Sequence, residues 1–249
     1  MLKAATNRKR RKPSDLVADF SKDADTPLSE AMRNLRTSIT YSNIDQPPKV
    51  VMITSSAPSE GKTTTAALFG ITSARMGRST IIVDCDFRRR SFGSIYPANP
   101  GSPGLLAVLE GSVAVADAVI SDPETGIHIL KSEAAGQMRG NPADILASKR
   151  FRKLIEELRI RYDTVILDTP PVLAVTDARI LAPLADAVVY MVKWNATSQD
   201  AVLEGLRILR SVNAKVAGVA FSFVNPKQAA HYVSSDYYYS KDYRKAVPA

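Results

Sequence analysis

Six short runs of almost wholly apolar residues limit what this chain can fold into. They are Val50–Thr54, Thr80–Asp84, Ile127–Leu130, Thr164–Asp168, Ala187–Val192 and Val216–Phe223. A strand with one wet face alternates apolar and polar residues, whereas a run that is apolar throughout belongs to a strand covered on both faces. Helical patterns lie between the runs, at Lys62–Met76, Gly104–Leu109, Pro142–Ile160, Asp177–Leu184 and Ser198–Val212. Strand and helix in alternation, joined by right-handed crossovers, predict an α/β fold with a mostly parallel sheet flanked by helices on both faces. Residues 85–104 and 131–141, rich in Gly, Pro, Ser and Arg, are predicted loops.

The flanks differ from this body. Residues 1–25 carry the basic run Asn7–Lys12 and then Asp15, Asp19, Asp23 and Asp25. Blocks of like charge predict a flexible, solvated arm. Thr26-Pro27 then reads as an N-cap and first helical position, opening a helix to about Ile44. Residues 26–230 form the predicted domain. The last stretch, 231–249, has neither helical nor strand period. It holds five of the nine tyrosines, Tyr232, Tyr237, Tyr238, Tyr239 and Tyr243, and is predicted to be a mobile tail.

Charge and composition narrow the function. The formal net charge of +8 favours acidic partners, whether phosphate-bearing ligands, nucleic acid or anionic lipid. The single cysteine, Cys85, excludes an intramolecular disulfide framework. No run of roughly 18 apolar residues is present, so no membrane span is predicted. The basic start lacks the apolar core of a secretory signal.

One segment carries chemistry. Ser56-Ala57-Pro58-Ser59-Glu60-Gly61-Lys62-Thr63, continued by Thr64, follows a predicted strand and opens a predicted helix. It matches a P-loop, with Ser56 in place of the usual first glycine. Backbone N–H groups of such a loop surround phosphates, and the helix N-terminus adds partial positive charge. Lys62 can reach the β- and γ-phosphates, and the Thr63 hydroxyl can meet Mg²⁺. Asp84 and Asp86 end one strand and Asp168 ends another. In an open parallel sheet these strand ends share the ligand-binding edge. Mg²⁺ takes one or two carboxylates together with phosphate and water. ATP and Mg²⁺ are therefore the expected ligands.

The P-loop, the run Asp84-Cys85-Asp86-Phe87-Arg88-Arg89 and the segment Leu167-Asp168-Thr169-Pro170-Pro171 together resemble the bacterial tyrosine kinases of polysaccharide loci. The resemblance covers roughly residues 26–243. It includes Asn141-Pro142, Ile145-Leu146, Ser148, Thr176-Asp177-Ala178 and the tyrosine-rich tail. Two positions depart from the family pattern. Ser59 replaces a glycine, which matters if the loop needs a positive φ there. Arg90 replaces a proline.

The resemblance implies a P-loop NTPase fold and ATP-dependent autophosphorylation of the tail tyrosines between subunits. It assigns Lys62 to the β- and γ-phosphates, and Thr63, Asp86 and Asp168 to the metal. Asp84 becomes the acceptor of the tyrosine proton, with a metal role as the alternative, and Arg88 a charge stabiliser. By analogy with related P-loop ATPases, Asn225 reads adenine. Glu30, Arg33 and Arg36 match the family's Glu-x-x-Arg-x-x-Arg motif, which mediates ring-like self-association. Further implied partners are a membrane-bound activator with a cytoplasmic tail and a cognate tyrosine phosphatase. The implied location is cytoplasmic, at the inner face of the membrane through that activator, in capsule or exopolysaccharide synthesis. Met1 fits a complete protein. Relatives that join both parts in one polypeptide would place the basic start just after a second membrane helix.

Two other readings compete. A partition or division-site ATPase shares the fold but carries a second lysine near the P-loop start, where this chain has Ala57, and it lacks a tyrosine cluster. A module binding nucleic acid or a membrane surface is motivated by the basic run, yet no recognised nucleic-acid motif accompanies it.

Overall fold

The computed structural model describes residues 11–89, 91–97, 101–132 and 140–225. In chain order its elements begin with helices α1 (Pro13–Lys22) and α2 (Pro27–Thr40), strand β1 (Val50–Ser55), helix α3 (Lys62–Arg75) and strand β2 (Thr80–Asp84). Helices α4 (Leu105–Glu110) and α5 (Val115–Ala118) follow, then strands β3 (Val119–Ser121) and β4 (His128–Leu130). Helices α6 (Pro142–Ala147) and α7 (Lys149–Arg161) lead into β5 (Thr164–Asp168) and α8 (Asp177–Leu181). Strand β6 (Ala187–Lys193), helix α9 (Gln199–Ser211) and strand β7 (Val216–Ser222) complete the described chain.

The strands form one seven-stranded sheet in the order β3-β4-β2-β5-β1-β6-β7. Every neighbouring pair is parallel except β3 with β4. The central strands are buried along their whole length, and successive residues feed two separate cores. Val50, Met52, Ile81, Val83, Val165 and Leu167 face the core built with α4, α7, α8 and α9. Val51, Ile53, Ile82 and Ile166 face the core built with α1, α2 and α3. This double burial is why these strands are apolar at every position. The expected architecture, a P-loop NTPase-like α/β fold with helices on both faces, is the one observed.

Several local expectations differ. The arm expected over residues 1–25 contains α1, whose Val17 and Phe20 are buried in the second core. Arg75 seats it by donating from Nη2 to the carbonyls of Phe20 and Ser21 at 2.9 and 2.6 Å. Two apolar side chains three residues apart suffice to bury one face of a short helix, and the surrounding charge masked that signal. Residues 1–10 lie outside the described residues, as does the tail from 226 onward, so the expected arm start and tyrosine tail have no structural account. Helix α2 stops at Thr40 rather than near Ile44. The single helix expected over Pro142–Ile160 is two, because Ser148 is extended (φ −66°, ψ 152°) and caps α7 by accepting from Phe151 N–H at 3.1 Å. Helix α5 and the short edge strand β3 carried no sequence signal of their own.

Helix α9 packs on β6 through Gly205. A Cβ there would stand 1.8 Å from Tyr190 Oη, a buried side chain whose hydroxyl shares a 2.8 Å hydrogen bond with Ser56 Oγ. Gly205→Ala should therefore cost about 1–3 kcal/mol through overpacking. For a domain of this size, that lowers the melting temperature by roughly 2–4 °C per kcal/mol. An unchanged melting temperature in thermal unfolding would show that Tyr190 can leave its place without cost.

Candidate active site

The ligand-binding edge follows from register. Asp84 at the end of β2 pairs directly with Asp168 at the end of β5. Asp168 also stands beside Ile53 of β1, two residues before the strand passes into the phosphate loop. Three parallel strands thus deliver both carboxylates and the loop to one place.

The loop holds its shape by its own bonds. Gly61 caps α3 with φ +89°, a conformation glycine adopts readily. Ser59 sits at φ +64°, so the serine that replaces the family's glycine occupies a left-handed position. Its Oγ accepts from Arg89 Nη1 at 3.3 Å. Glu60 is buried and bridges two elements: Oε2 accepts from Ala57 N–H at 2.7 Å, and Oε1 accepts from the Thr197 hydroxyl. Ser56 turns into the protein, where its Oγ shares a hydrogen bond with Tyr190 Oη and lies 3.3 Å from the Ala201 carbonyl, to which it can donate. Pro58 is exposed at the loop's crest, and Thr63 and Thr64 are half-buried on the first turn of α3.

Lys62 folds back over this loop. Its Nζ donates to Ser55 Oγ at 3.0 Å and to Ala57 O at 3.4 Å, and the side chain is buried. Burial pulls its pKa down, against the opposing pull of Asp168, Asp86 and Glu60.

The carboxylates are equally deep. Asp84, Asp86 and Asp168 are 1%, 4% and 1% exposed. Asp84 Oδ1 accepts from Asp86 N–H at 3.1 Å, and Oδ2 accepts from the Ser132 hydroxyl. Asp86 Oδ1 accepts from the N–H groups of Arg88 and Arg89 at 3.2 and 2.9 Å. Asp168 differs, because neither carboxylate oxygen has a hydrogen-bond partner among the described residues. Burial and the charge of Asp84 push its pKa well up, while the Thr63 hydroxyl, close by but outside hydrogen-bond geometry, and the Lys62 ammonium pull it down. A buried carboxylate with no donor is costly unless something else completes it.

That unmet demand fits Mg²⁺. Hard oxygen donors converge here: Asp168, Asp86 and the Thr63 hydroxyl. Among the described residues no group of three carboxylate, histidine or cysteine side chains forms a closed metal cage. Mg²⁺ needs none, since phosphate and water normally fill its remaining positions. Cys85 is fully buried beside the site, with burial pushing its thiol pKa well up, which makes it a poor nucleophile.

Other expected residues sit further off. Arg88 forms a two-pronged pair with the fully buried Asp177, Nε to Oδ2 at 2.9 Å and Nη2 to Oδ1 at 3.1 Å. It is Arg89, not Arg88, that reaches the phosphate loop. Glu30 and Arg33 pair within α2 at 2.7 Å, and Arg36 Nη1 contacts Met76 Sδ at 3.2 Å at the far end of α3. Asn225 follows β7. Two residues at the end of the same strand lie against the loop: Ser222, whose Oγ donates to Glu60 O at 2.8 Å, and Phe223. Ser132, Thr197, Ser222 and Phe223 match no motif, so sequence reasoning could not find them. Only Arg89 carried a signal, by adjoining Arg88.

Asp84 gives a test of this electrostatic picture. Burial pushes its carboxyl up to about 6, against the hydrogen bonds from Ser132 and Asp86. In the unfolded chain an aspartate titrates near about 3.9. The native state therefore holds this proton more tightly, so the group's contribution to stability is full below about pH 4 and is lost as pH rises through about 6. Asp84→Asn, which stays neutral, should gain on the native protein across that window by on the order of 2–3 kcal/mol. Denaturant unfolding of ligand-free protein at a series of pH values measures this. A pH-independent difference would remove Asp84 as the source.

Known proteins resemble this chain along most of its length. Residues 49–218 match the AAA domain family. The chain is 34% identical over 214 residues to the tyrosine-protein kinase YwqD of Bacillus subtilis, covering 86% of this chain and 87% of that one. It is 30% identical over 213 residues to the putative tyrosine-protein kinase EpsB of Ralstonia nicotianae, but spans only 28% of that protein's length. The crystal structure of the chimerical protein CapA2B2 superposes with a TM-score of 0.76 at 32% identity, covering 83% of this chain and 89% of that one. Sheet order, phosphate loop and paired strand-end carboxylates thus coincide with similarity along most of the chain, and this protein belongs to the bacterial tyrosine-kinase family within the AAA domain family.

Proposed function

We propose that this protein transfers the γ-phosphoryl group of ATP to tyrosine, chiefly to Tyr232, Tyr237, Tyr238, Tyr239 and Tyr243 of a neighbouring copy. The observation that carries the nucleotide site is Asp168, a buried carboxylate without a donor, facing Lys62 and Thr63 at the start of α3. The tyrosine-rich tail and the family support the choice of acceptor.

The chain's own residues account for most of the chemistry. Phosphoryl transfer depends on positioning and charge stabilisation. Lys62 exchanges Ser55 and Ala57 for the β- and γ-phosphates, regaining hydrogen bonds while lessening its isolation. The N-terminus of α3 presents its unpaired N–H groups to the same phosphates. Thr63, Asp86 and Asp168 would hold Mg²⁺, which neutralises phosphate charge when bound. Asp84 accepts the tyrosine proton as the phenol oxygen bonds to phosphorus and the β–γ bridging oxygen leaves on ADP. Its position, clamped by Ser132 and the Asp86 N–H, suits a fixed base. Arg88 contributes charge stabilisation only after releasing Asp177, so that role needs the turn after β2 to move.

Assembly and location extend the reading. The exposed Glu30–Arg33 pair and Arg36 lie on α2 as a surface for ring-like self-association. As a surface pair it is worth at most about 1 kcal/mol, and Arg33 also donates to Ala24 O at 2.9 Å, so exchange with a second copy would have to replace that bond too. Among the described residues no helix is long and apolar enough to cross a membrane. Attachment to the inner membrane face is assigned to a membrane-bound activator, a cognate tyrosine phosphatase resets the tail, and the cycle regulates polysaccharide synthesis and export. Each added phosphate brings about −1.5 to −2 charges to the tail, enough to alter its contacts with a basic protein.

Two measurements test this reading. Incubation with labelled Mg-ATP, with and without a candidate activator's cytoplasmic tail, should place phosphate on Tyr232–Tyr243. Mass spectrometry should find none in Lys62→Met or in a variant with all five tail tyrosines changed to Phe. ADP release without tyrosine label under every condition would instead identify an ATPase. Separately, Asp168→Asn should melt higher than the native protein when ligand-free, because it removes a buried charge, and lose most of the stabilisation that Mg-ADP gives. Equal stabilisation of both proteins by Mg-ADP would exclude Asp168 as a metal ligand.

A further inference from the structure

The two flanks of the phosphate loop differ in chemistry. On the β5 and β2 side stand Asp168, Asp84 and Asp86, all acidic and buried. On the β6 and β7 side the strand ends carry Lys193, Trp194, Phe221 and Phe223. A nucleotide with its phosphates in the loop and its transferable end toward the carboxylates must send its base out on the other flank. There it meets aromatic side chains.

Phe223 is the one turned toward the loop. Its φ is +55°, a genuine outlier for a bulky aromatic residue. Residues held in such backbone regions gather at ligand clamps and switch segments. The geometric effect here is specific. Along an extended strand Phe223 would point with Phe221, away from Ser222. Instead both Ser222 and Phe223 lie against Gly61: a Cβ there would stand 3.2 Å from Ser222 Cβ and 3.6 Å from Phe223 Cε2. The strand end is pinned in that position, since Ser222 Oγ donates to Glu60 O and Trp194 N–H donates to Ser222 O at 3.0 Å. Phe221 is occupied differently, packing edge-on against Trp194 with centroids 5.4 Å apart. Phe223 is 57% exposed as a residue, and the Lys193 ammonium lies over its ring, 5.5 Å from the centroid.

We propose that Phe223 is the stacking platform for the nucleobase, held at the mouth of the phosphate loop by its left-handed backbone. This rests on the nucleotide-site reading above. Stacking on an aromatic face tolerates every base, so Phe223 supplies affinity and leaves base identity to polar groups such as Asn225.

The test uses two probes with the full chain, Mg-ADP and inorganic tripolyphosphate, by titration calorimetry. Phe223→Ala should weaken ADP on the order of tenfold and leave tripolyphosphate, which has no base, unchanged. Phe223→Trp should restore ADP affinity. Native ADP affinity in Phe223→Ala, equal loss of both probes, or no restoration by Trp would each overturn the proposal. A native protein that binds neither probe, or a Lys62→Met variant that binds both as well as the native protein, would instead sink the nucleotide-site reading and this platform with it.

Discussion

Parallel pairing of β2, β5 and β1, buried on both faces, decides where everything else stands. Once Thr164 pairs with Thr80, Asp168 must pair with Asp84, because the register runs unbroken between them. The same pairing brings β1 alongside, so the phosphate loop leaves the sheet where the two carboxylates end. A one-residue slip would turn each core residue of these strands toward the opposite helical layer and move one aspartate out of line. Register here is a packing constraint that also assembles the site.

The site so assembled is electrostatically incomplete. Three carboxylates lie within a few per cent of full burial, and one of them lacks any donor among the described residues. Lys62 is buried as well, satisfied by a hydroxyl and a carbonyl of its own loop. Buried charge of this kind is unfavourable in isolation. A phosphate chain with its cation would answer the charge of these groups, and burial already shifts Lys62 down and Asp84 and Asp168 up, each toward its neutral form. Functional sites are where such imbalance is expected.

The loop is braced mainly from one flank. Glu60 ties it to Thr197 on the β6–α9 connection, Ser222 ties it to the end of β7, and Ser56 reaches Tyr190 within β6. These contacts lie on the flank away from the carboxylates. One flank is therefore rigid and aromatic, while the other carries charge and the turn with Arg88 and Arg89. Ser59 shows how the brace compensates: its left-handed φ would suit glycine better, yet its hydroxyl gains Arg89 as a partner.

The fold class, the phosphate loop and the three aspartates were legible in the sequence, because each depends on local pattern. Apolar runs reveal two-sided burial, and Gly61-Lys62-Thr63 after a strand and before a helix has few other uses. Helix α1 was not legible, because Val17 and Phe20 acquire meaning only when α3 supplies the surface they cover. The same holds for Ser132 on Asp84, for Arg88 on Asp177 and for Phe223 at Gly61, contacts between residues 48, 89 and 162 positions apart. The sequence by itself determined which chemistry the chain can hold, through periodicity and residue type over short spans. Tertiary structure alone decided which oxygen meets which donor and which arginine faces the loop. Those choices depend on where distant segments are brought together, and no local pattern encodes that.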